Sequence, residues 1–325
     1  MSRTFSRVVG AALVIMGAAA SAQLHAQTWP SKPVRLVVPY AAGGSTDTLA
    51  RIVGAQLGER LGQQVVIDNR TGAGTIIGTE IVAQAAPDGY TLLMATPPLA
   101  VNPALHPKVP YDLERDFAAV TNVAGSSNLL TVHPGVPAQS VRELVALMKA
   151  NPGKYNYGSS GVGGAGHLAM ALFTSMTGVD AVHVPYKGGA PAVADLVGGR
   201  LHMQMANLTT AQPHIRAGRL RGLGVGTLKR TPLFPEMPTI AEAGVAGYEA
   251  NNWNGIVVPR KTPRAVVERL HREVTAILND PGTAKRLATQ GLEPVGDTPA
   301  QFAQYLRDEA VKWGRVVKTA GIKPE

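Results

Sequence analysis

The chain has 325 residues, 45% of them apolar and 16% charged, with 36 glycines, 24 prolines and no cysteine. Such a composition describes a packed, turn-rich protein rather than low-complexity sequence, and the missing cysteines exclude disulfide frameworks, thiol nucleophiles, iron–sulfur clusters and Cys-based zinc sites together. The balance of 31 Lys and Arg against 22 Asp and Glu leaves a net charge of +9, but the basic residues are scattered and aromatics make up only 5%, which argues against a nucleic-acid surface.

Arg3 and Arg7 precede an uninterrupted apolar run from Val8 to Ala20, followed by small residues. A run of that length spans about 20 Å as a helix, too short for a bilayer core. It is therefore expected to be a cleaved export signal, cut after Ala22 (Ala20-Ser21-Ala22) or after Ala26. The signal, residues 1–26 at its longest, is then absent from the mature protein, which is expected to be exported, and loss of Arg3 and Arg7 lowers the charge from +9 to +7. A field of one sign draws small anions toward a cleft.

Along the mature chain, short β-branched runs alternate with helical patterns, the layout of parallel α/β domains. Val34 to Val38 reads as a buried strand, followed by a glycine turn and a helix from about Thr46 to Leu61 with Leu49, Ile52, Val53, Leu57 and Leu61 on one face. Val65 to Ile67 is a second strand, Gly72 to Gly78 opens a second helix, and Tyr90 to Ala95 is a third strand. Further strands are expected at 129–132, 155–158, 182–186, 201–206, 220–225 and 255–258, and two helices, about 263–279 and 299–319, close the chain. A length near twice that of a simple α/β domain suggests two lobes. The expected lobes are 27–126 with 253–325, and 127–252, joined by crossings near 122–128 and 251–258. Val38-Pro39-Tyr40 before Gly43-Gly44 is echoed by Val184-Pro185-Tyr186 before Gly188-Gly189.

Glycine-rich turns between strand ends and helix starts carry the most visible chemistry. In Gly43-Gly44-Ser45-Thr46-Asp47 the glycines permit close backbone approach, and Ser45 is expected to cap the helix while its first amides stay free. Such termini attract carboxylates and phosphates. A second turn runs from Ser159 to His167, ahead of an apolar helix through Leu168, Leu172 and Met176. Its Gly161, Gly163 and Gly166 formally fit GxGxxG, but the acid that dinucleotide binding requires is missing, since Asp180 precedes the next strand and that strand ends in Tyr186-Lys187.

A search for catalytic patterns finds no GxSxG elbow, HExxH, Walker lysine motif or EF-hand loop, and the eight histidines show no ligand spacing. His167 is read either as a polar lining residue or as a capped, packed imidazole. His183 is expected to be a hydrogen-bonded core residue, Asp68 and Asp88 turn residues, and Trp253 and Trp313 packing. No metal or cofactor is implied.

The segments WPSKPVRLVVPYAAGGSTDTLAR (29–51), DNRTGAG (68–74), APDGYTLL (86–93), NPGKYNYGSSG (151–161), VHVPYKGGAPA (182–192), PTIAEAG (238–244) and KWGRVVKTAGIKPE (312–325) together resemble the Bug family, the periplasmic solute receptors of tripartite tricarboxylate transport systems. The resemblance spans the mature chain in order. It implies a type II periplasmic binding protein fold, with two α/β lobes joined by hinge strands, and a ligand carboxylate held by backbone amides and waters. The implied ligand-binding residues are Tyr40, Ala41, Ala42, Gly43, Gly44, Ser45, Thr46 and Asp47 in the first turn and Ser160, Gly161, Gly163, Gly164 and His167 in the second, with Thr96 and Asn207. The chain departs from the family at Thr75-Ile76, where Gly-Asn is common, and at Ala206, where Asp is common. Thr96-Pro97-Pro98-Leu99 is less polar than a citrate site would need.

The expected function is therefore a monomeric receptor, not an enzyme, that delivers a small organic carboxylate to inner-membrane transporter subunits, with mono-, di- and aromatic carboxylates all open. Two other readings remain: an exported hydrolase using Ser45 or Ser160, and a periplasmic sensory adaptor for the same ligand.

Overall fold

The structure is a computed structural model that describes residues 29–186 and 188–323. The export signal expected at residues 1–26 lies outside the described residues.

Strand β1 (Val34–Val38) leads into helix α1 (Ser45–Leu61), β2 (Val65–Asn69), a 3-10 turn (Ala73–Thr75), α2 (Ile76–Ala83), β3 (Thr91–Ala95), α3 (Pro98–Leu105) and the short α4 (Leu113–Asp116). The 16-residue β4 (Phe117–Val132) follows, then α5 (Val141–Ala150), β5 (Asn156–Ser159), α6 (Ala165–Thr177), β6 (Val182–Pro185), α7 (Gly189–Val197), β7 (Met203–Asn207), α8 (Leu208–Arg216) and β8 (Arg221–Val225). The chain closes with β9 (Asn251–Pro259), α9 (Arg264–Leu278), α10 (Pro281–Thr289), β10 (Glu293–Pro294) and α11 (Pro299–Thr319).

The strands form one sheet in the order β2-β1-β3-β9-β4-β7-β5-β6, with β8 and β10 also paired to β4. The expectation of parallel pairing holds for β1 with β2 and β3, and for β5 with β6 and β7. It fails at the centre. Strand β9 runs antiparallel to both β3 and β4, and β4 is antiparallel to β7, β8 and β10, so the sheet is mixed. Helical crossovers impose parallel neighbours, whereas β4 and β9 arrive from long connections and carry no such constraint.

The apolar run of β1 follows from burial on both faces. Val34, Leu36 and Val38 pack with Leu49, Val53 and Leu57 of α1 and Leu270 of α9. Val37 faces the other way, with Leu93 of β3 and Phe302 and Leu306 of α11. The second half repeats the scheme: Leu130, Met203 and Met205 pack with Leu168 and Phe173, while Leu129 and Ala206 on the opposite face pack with Ala192 and Leu196. Strand β4 contributes to both halves, pairing with β9 from Phe117 to Ser127 and with β7 from Asn128 to Val132. Its register against β9 shifts between Ala119 and Thr121 and again between Asn122 and Ala124. Such irregularities bend and twist a strand locally.

Helix α11 also reaches both halves. Phe302 and Leu306 sit in the core of the first, while Trp313, Val316 and Val317 join the core around α6 in the second. Asp68, expected in a turn, instead lies in β2, where Arg35 and Arg70 pair with it. Asp88 does sit in a turn and accepts the Tyr90 amide at 3.0 Å.

Candidate functional site

A cleft of about 530 Å³ opens where the two halves of the sheet meet. Its wall is built from helix starts. Gly44, Ser45 and Thr46 open α1, Gly74 and Thr75 precede α2, Pro97 and Pro98 begin α3, Gly163, Gly164 and Ala165 open α6, and Gly188 and Gly189 open α7. None of these five helices has a side-chain cap. By contrast α4, α5, α10 and α11 are capped by the side chains of Asp112, Ser140, Asp280 and Thr298, none of which lines the cleft. Helix α9, which follows Pro263 without a cap, opens on a separate hollow of about 430 Å³ beside Arg260 and Arg307.

An uncapped start leaves the first amides of a helix without intrahelical partners and at the positive end of its dipole. In α3 the two prolines remove those donors, so that start contributes an apolar surface instead. At α2 the Thr75 and Ile76 amides already donate to the Gly72 and Ala73 carbonyls, so the first-turn residues of α1, α6 and α7 are the ones that bring helix-start donors to the cleft. Among the described residues no Lys, Arg, Asp or Glu lines it, and His106 supplies the one imidazole. Leu105 and Val162 add apolar wall, and Asn102 and Asn252 add side-chain amides.

Ser45 is not the cap of α1. Gly44 occupies that position with extended φ and ψ, and Ser45 is the first helical residue. The turn is pinned by Asp47, whose carboxylate accepts the Gly43 amide at 2.8 Å, Asn69 Nδ2 at 2.9 Å and Arg51 Nε at 2.9 Å. Burial alone would push the Asp47 carboxyl up, but the hydrogen bonds from Arg51, Gly43 and Asn69 and the Arg51 charge together hold it below the usual carboxylate range. Gly43 takes φ +86°, the left-handed region that favours glycine. Thr46 Oγ1 donates to Asn254 Oδ1 at 3.0 Å, tying the start of α1 to β9. Tyr40 and Thr96 join their hydroxyls at 3.1 Å across the cleft floor, and burial raises the Tyr40 phenol pKa, opposed by that bond.

The second turn is held by imidazoles from behind. The Gly163 amide donates to His167 Nδ1 at 3.0 Å. The His167 ring stacks on that of His183 at 3.9 Å, and His183 Nε2 lies 2.6 Å from Ser159 Oγ, which in turn accepts the Gly161 amide at 3.1 Å. Burial, reinforced by the neighbouring His183, lowers the His167 pKa to about 4, so the ring is neutral near pH 7. Among the described residues the hydrogen-bonded Ser–His side-chain pair is Ser159–His183, with its serine buried inside the turn. Neither Ser45 nor Ser160 is hydrogen-bonded to a histidine among the described residues.

Of the residues implied in the sequence, Tyr40, Gly44, Ser45, Thr46, Thr96, Ser160, Gly163 and Gly164 line the cleft. Ala41, Ala42 and Gly43 form the exposed outer bend of the first turn, and Asp47 and His167 brace the two turns from the buried side. Gly161 shapes the second turn at φ +124°, and Asn207, at the end of β7, donates to Ser126 Oγ at 3.3 Å. The sequence reading missed Gly74, Thr75, Asn102, Gly188, Gly189 and Asn252. For two of these the signal was present: the echoed Val-Pro-Tyr segments lie at the ends of β1 and β6, each is followed by a glycine pair, and Gly44, Gly188 and Gly189 of those pairs line the cleft at the starts of α1 and α7.

The family described as tripartite tricarboxylate transporter family receptor (TctC) matches residues 49–322. Among solved structures, the R. palustris protein Rpa4515 with adipate is 41% identical, covers 91% of this chain and 100% of its own, and superposes with a TM-score of 0.81. The periplasmic binding protein BugD is 32% identical, with the same coverages and a TM-score of 0.77. MatC from Rhodopseudomonas palustris with bound malate is 32% identical, covers 89% of this chain and 100% of its own, and has a TM-score of 0.76. The mixed sheet is thus that of periplasmic solute-binding proteins, and the chain belongs to the tripartite tricarboxylate transporter family of receptors, within its Bug group.

Proposed function

We propose that this chain captures a small organic carboxylate in the cleft and hands it to a tripartite tricarboxylate-type membrane transporter. The observation that carries the reading is the convergence of three uncapped, donor-bearing helix starts, those of α1, α6 and α7, on a space with no charged side chain among the described residues. Donors alone favour an anion, and the apolar Pro97, Pro98, Leu105 and Val162 favour one with a hydrocarbon body. Adipate in Rpa4515 and malate in MatC are ligands of that kind in related proteins. The family and fold are those of substrate-binding proteins, so the cleft is read as a capture site and not as a catalytic one.

The lobes of this proposal divide at β4 and β9, whose paired segments 117–127 and 251–259 form the crossing. Closure about them brings the α1 and α6 starts together on one carboxylate. The mature chain begins after Ala22 or Ala26, in the periplasm, and works as a monomer.

A thermal-shift panel of di- and tricarboxylates, amino acids and aromatic acids tests the reading. A ligand at a hundred times its Kd stabilises by about 2.7 kcal/mol, so at least one acid should raise Tm while its amide or ester does not. A panel in which every acid leaves Tm unchanged counts against the receptor reading.

A further inference from the structure

Thr75 has three features that no role described so far uses. Its φ is +81°, a left-handed value that a β-branched residue adopts only under strain, shared among non-glycine described residues by Ala73 alone, at +45°. It occupies the N-cap position of α2, where a threonine hydroxyl ordinarily accepts one of the first helix amides, yet it makes no such bond. Its hydroxyl is buried with no hydrogen-bond partner, in a residue that is 5% exposed and lines the cleft.

The backbone around it is fixed by other means. The Thr75 amide donates to the Gly72 carbonyl at 3.1 Å, and Asn102 Nδ2 donates to the Gly74 carbonyl at 2.9 Å. The turn therefore does not need the hydroxyl, and the hydroxyl has no hydrogen-bond partner among the described residues. Buried polar groups without a partner are rare, and strained residues cluster at ligand sites.

We propose that Thr75 is a specificity-determining residue: when ligand fills the cleft, its hydroxyl donates to a second acceptor on the ligand, at the end not held by the α1 and α6 amides. Protein atoms cover the oxygen in this structure, so the contact requires the side chain to turn about Cα–Cβ toward the cleft. Pro97, Pro98 and Leu105 then cover the ligand's chain between its two polar ends. The cleft thereby selects carboxylates that carry an acceptor at both ends over those that end in a methyl group. This rests on the carboxylate-receptor reading and adds the residue that discriminates.

The test uses the purified protein, calorimetric titration and two matched pairs of probes, adipate with hexanoate and succinate with butyrate. The parent should bind one diacid more tightly than its matched monoacid. Thr75→Val, which keeps the branched shape and removes the hydroxyl, should weaken that diacid by roughly tenfold or more and leave the monoacid unchanged, while Thr75→Ser retains the preference. Thr75→Gly should lose the preference as Val does and, by relieving the strained φ, raise the Tm of the empty protein. Circular dichroism checks the fold of each variant. If the parent binds and Thr75→Val keeps the diacid preference, or weakens diacid and monoacid alike, the hydroxyl contact is wrong and the receptor reading stands. If the preference is lost only in Thr75→Gly, the residue acts by volume and the hydroxyl contact is again wrong. A parent that binds all four acids equally has no discrimination to assign, which also overturns the proposal. A parent that binds no acid, here or in the thermal-shift panel, brings down the receptor reading and this proposal with it.

Discussion

Trp253 and Trp313 donate their indole N–H groups to the same atom, Oε2 of Glu309, at 3.0 and 2.8 Å. Trp253 belongs to the core of the first half of the sheet and Trp313 to that of the second. Glu309 is 2% exposed and also pairs with Lys312, so its carboxylate ties two cores through three donors. Removing one side of a buried charged network leaves the rest unpaired and costs about 3–5 kcal/mol. Glu309→Leu should therefore destabilise by that order in urea unfolding, whereas Glu309→Gln, which keeps one acceptor, should lose less. Equal midpoints for parent and Glu309→Leu would show that the bridge contributes nothing.

Protonation of His167 should weaken the fold. Its folded pKa of about 4 lies below the ordinary 6.5, so between those values the unfolded chain binds more protons. The stabilisation is complete above pH 6.5 and is lost as pH falls through 4, by up to about 3 kcal/mol. Denaturant midpoints of the parent, compared with His167→Gln from pH 7 to 4.5, should converge as pH falls. A constant difference across the window would remove the assignment to His167.

Asp47 should matter for binding although it does not line the cleft. It holds the Gly43 amide, Asn69 and Arg51 behind the first turn, and a buried hydrogen-bond acceptor lost from such a set costs about 1–3 kcal/mol. Asp47→Ala should thus lower carboxylate affinity by roughly tenfold with the fold retained, as read by titration and circular dichroism. Unchanged affinity would mean the turn keeps its shape without its anchor.

Two glycine substitutions separate strain from crowding. A Cβ at Gly164 would lie 2.7 Å from Ser160 Oγ and 3.2 Å from the Gly161 carbonyl, inside the turn that faces the cleft. At Gly43 nothing lies within 4 Å, but φ is +86°. Gly164→Val should therefore distort the turn and lower affinity by more than about tenfold. Gly43→Val should act through backbone strain, costing about 1–2 kcal/mol of stability as well as affinity. Ser45→Ala should cost less than either, about 1 kcal/mol at most. Parent-like binding by both folded valine variants would move the ligand away from these turns.

Ligand should also shrink the molecule. Solution scattering at saturation is expected to give a smaller radius of gyration as the halves close about β4 and β9. An unchanged profile would dismiss the hinge while leaving the cleft in place.

The elements most legible in the sequence were those whose local pattern and tertiary role agree. The apolar run of β1, the spaced leucines of α1 and the 299–319 helix all carry their own boundaries. Strand β4 was legible only at its end, 129–132, because its first part contains Ala119, Thr121, Asn122, Gly125, Ser126 and Ser127, and small and polar residues give no strand period. Pairing with β9 makes that segment a strand. For the cleft, glycine turns with a following apolar helix were visible, but Asn102 and Asn252 reach it only through the packing of α3 and the crossing of β9. Residue type alone makes Ser45 a candidate cap, whereas the extended Gly44 occupies that position.

The position of β9 in the sheet has a consequence for the order in which the protein can form. Its residues sit between β3 and β4, with Leu93 facing Val257 and Ala118 facing Val258. Until synthesis has passed residue 259, β3 has a bare edge and the first part of β4 lacks its long partner. Contacts this remote in sequence close late and slowly. A chain emerging N-terminus first therefore keeps the edges of β3 and β4 open through most of its length, and the sheet can close only near the end of synthesis.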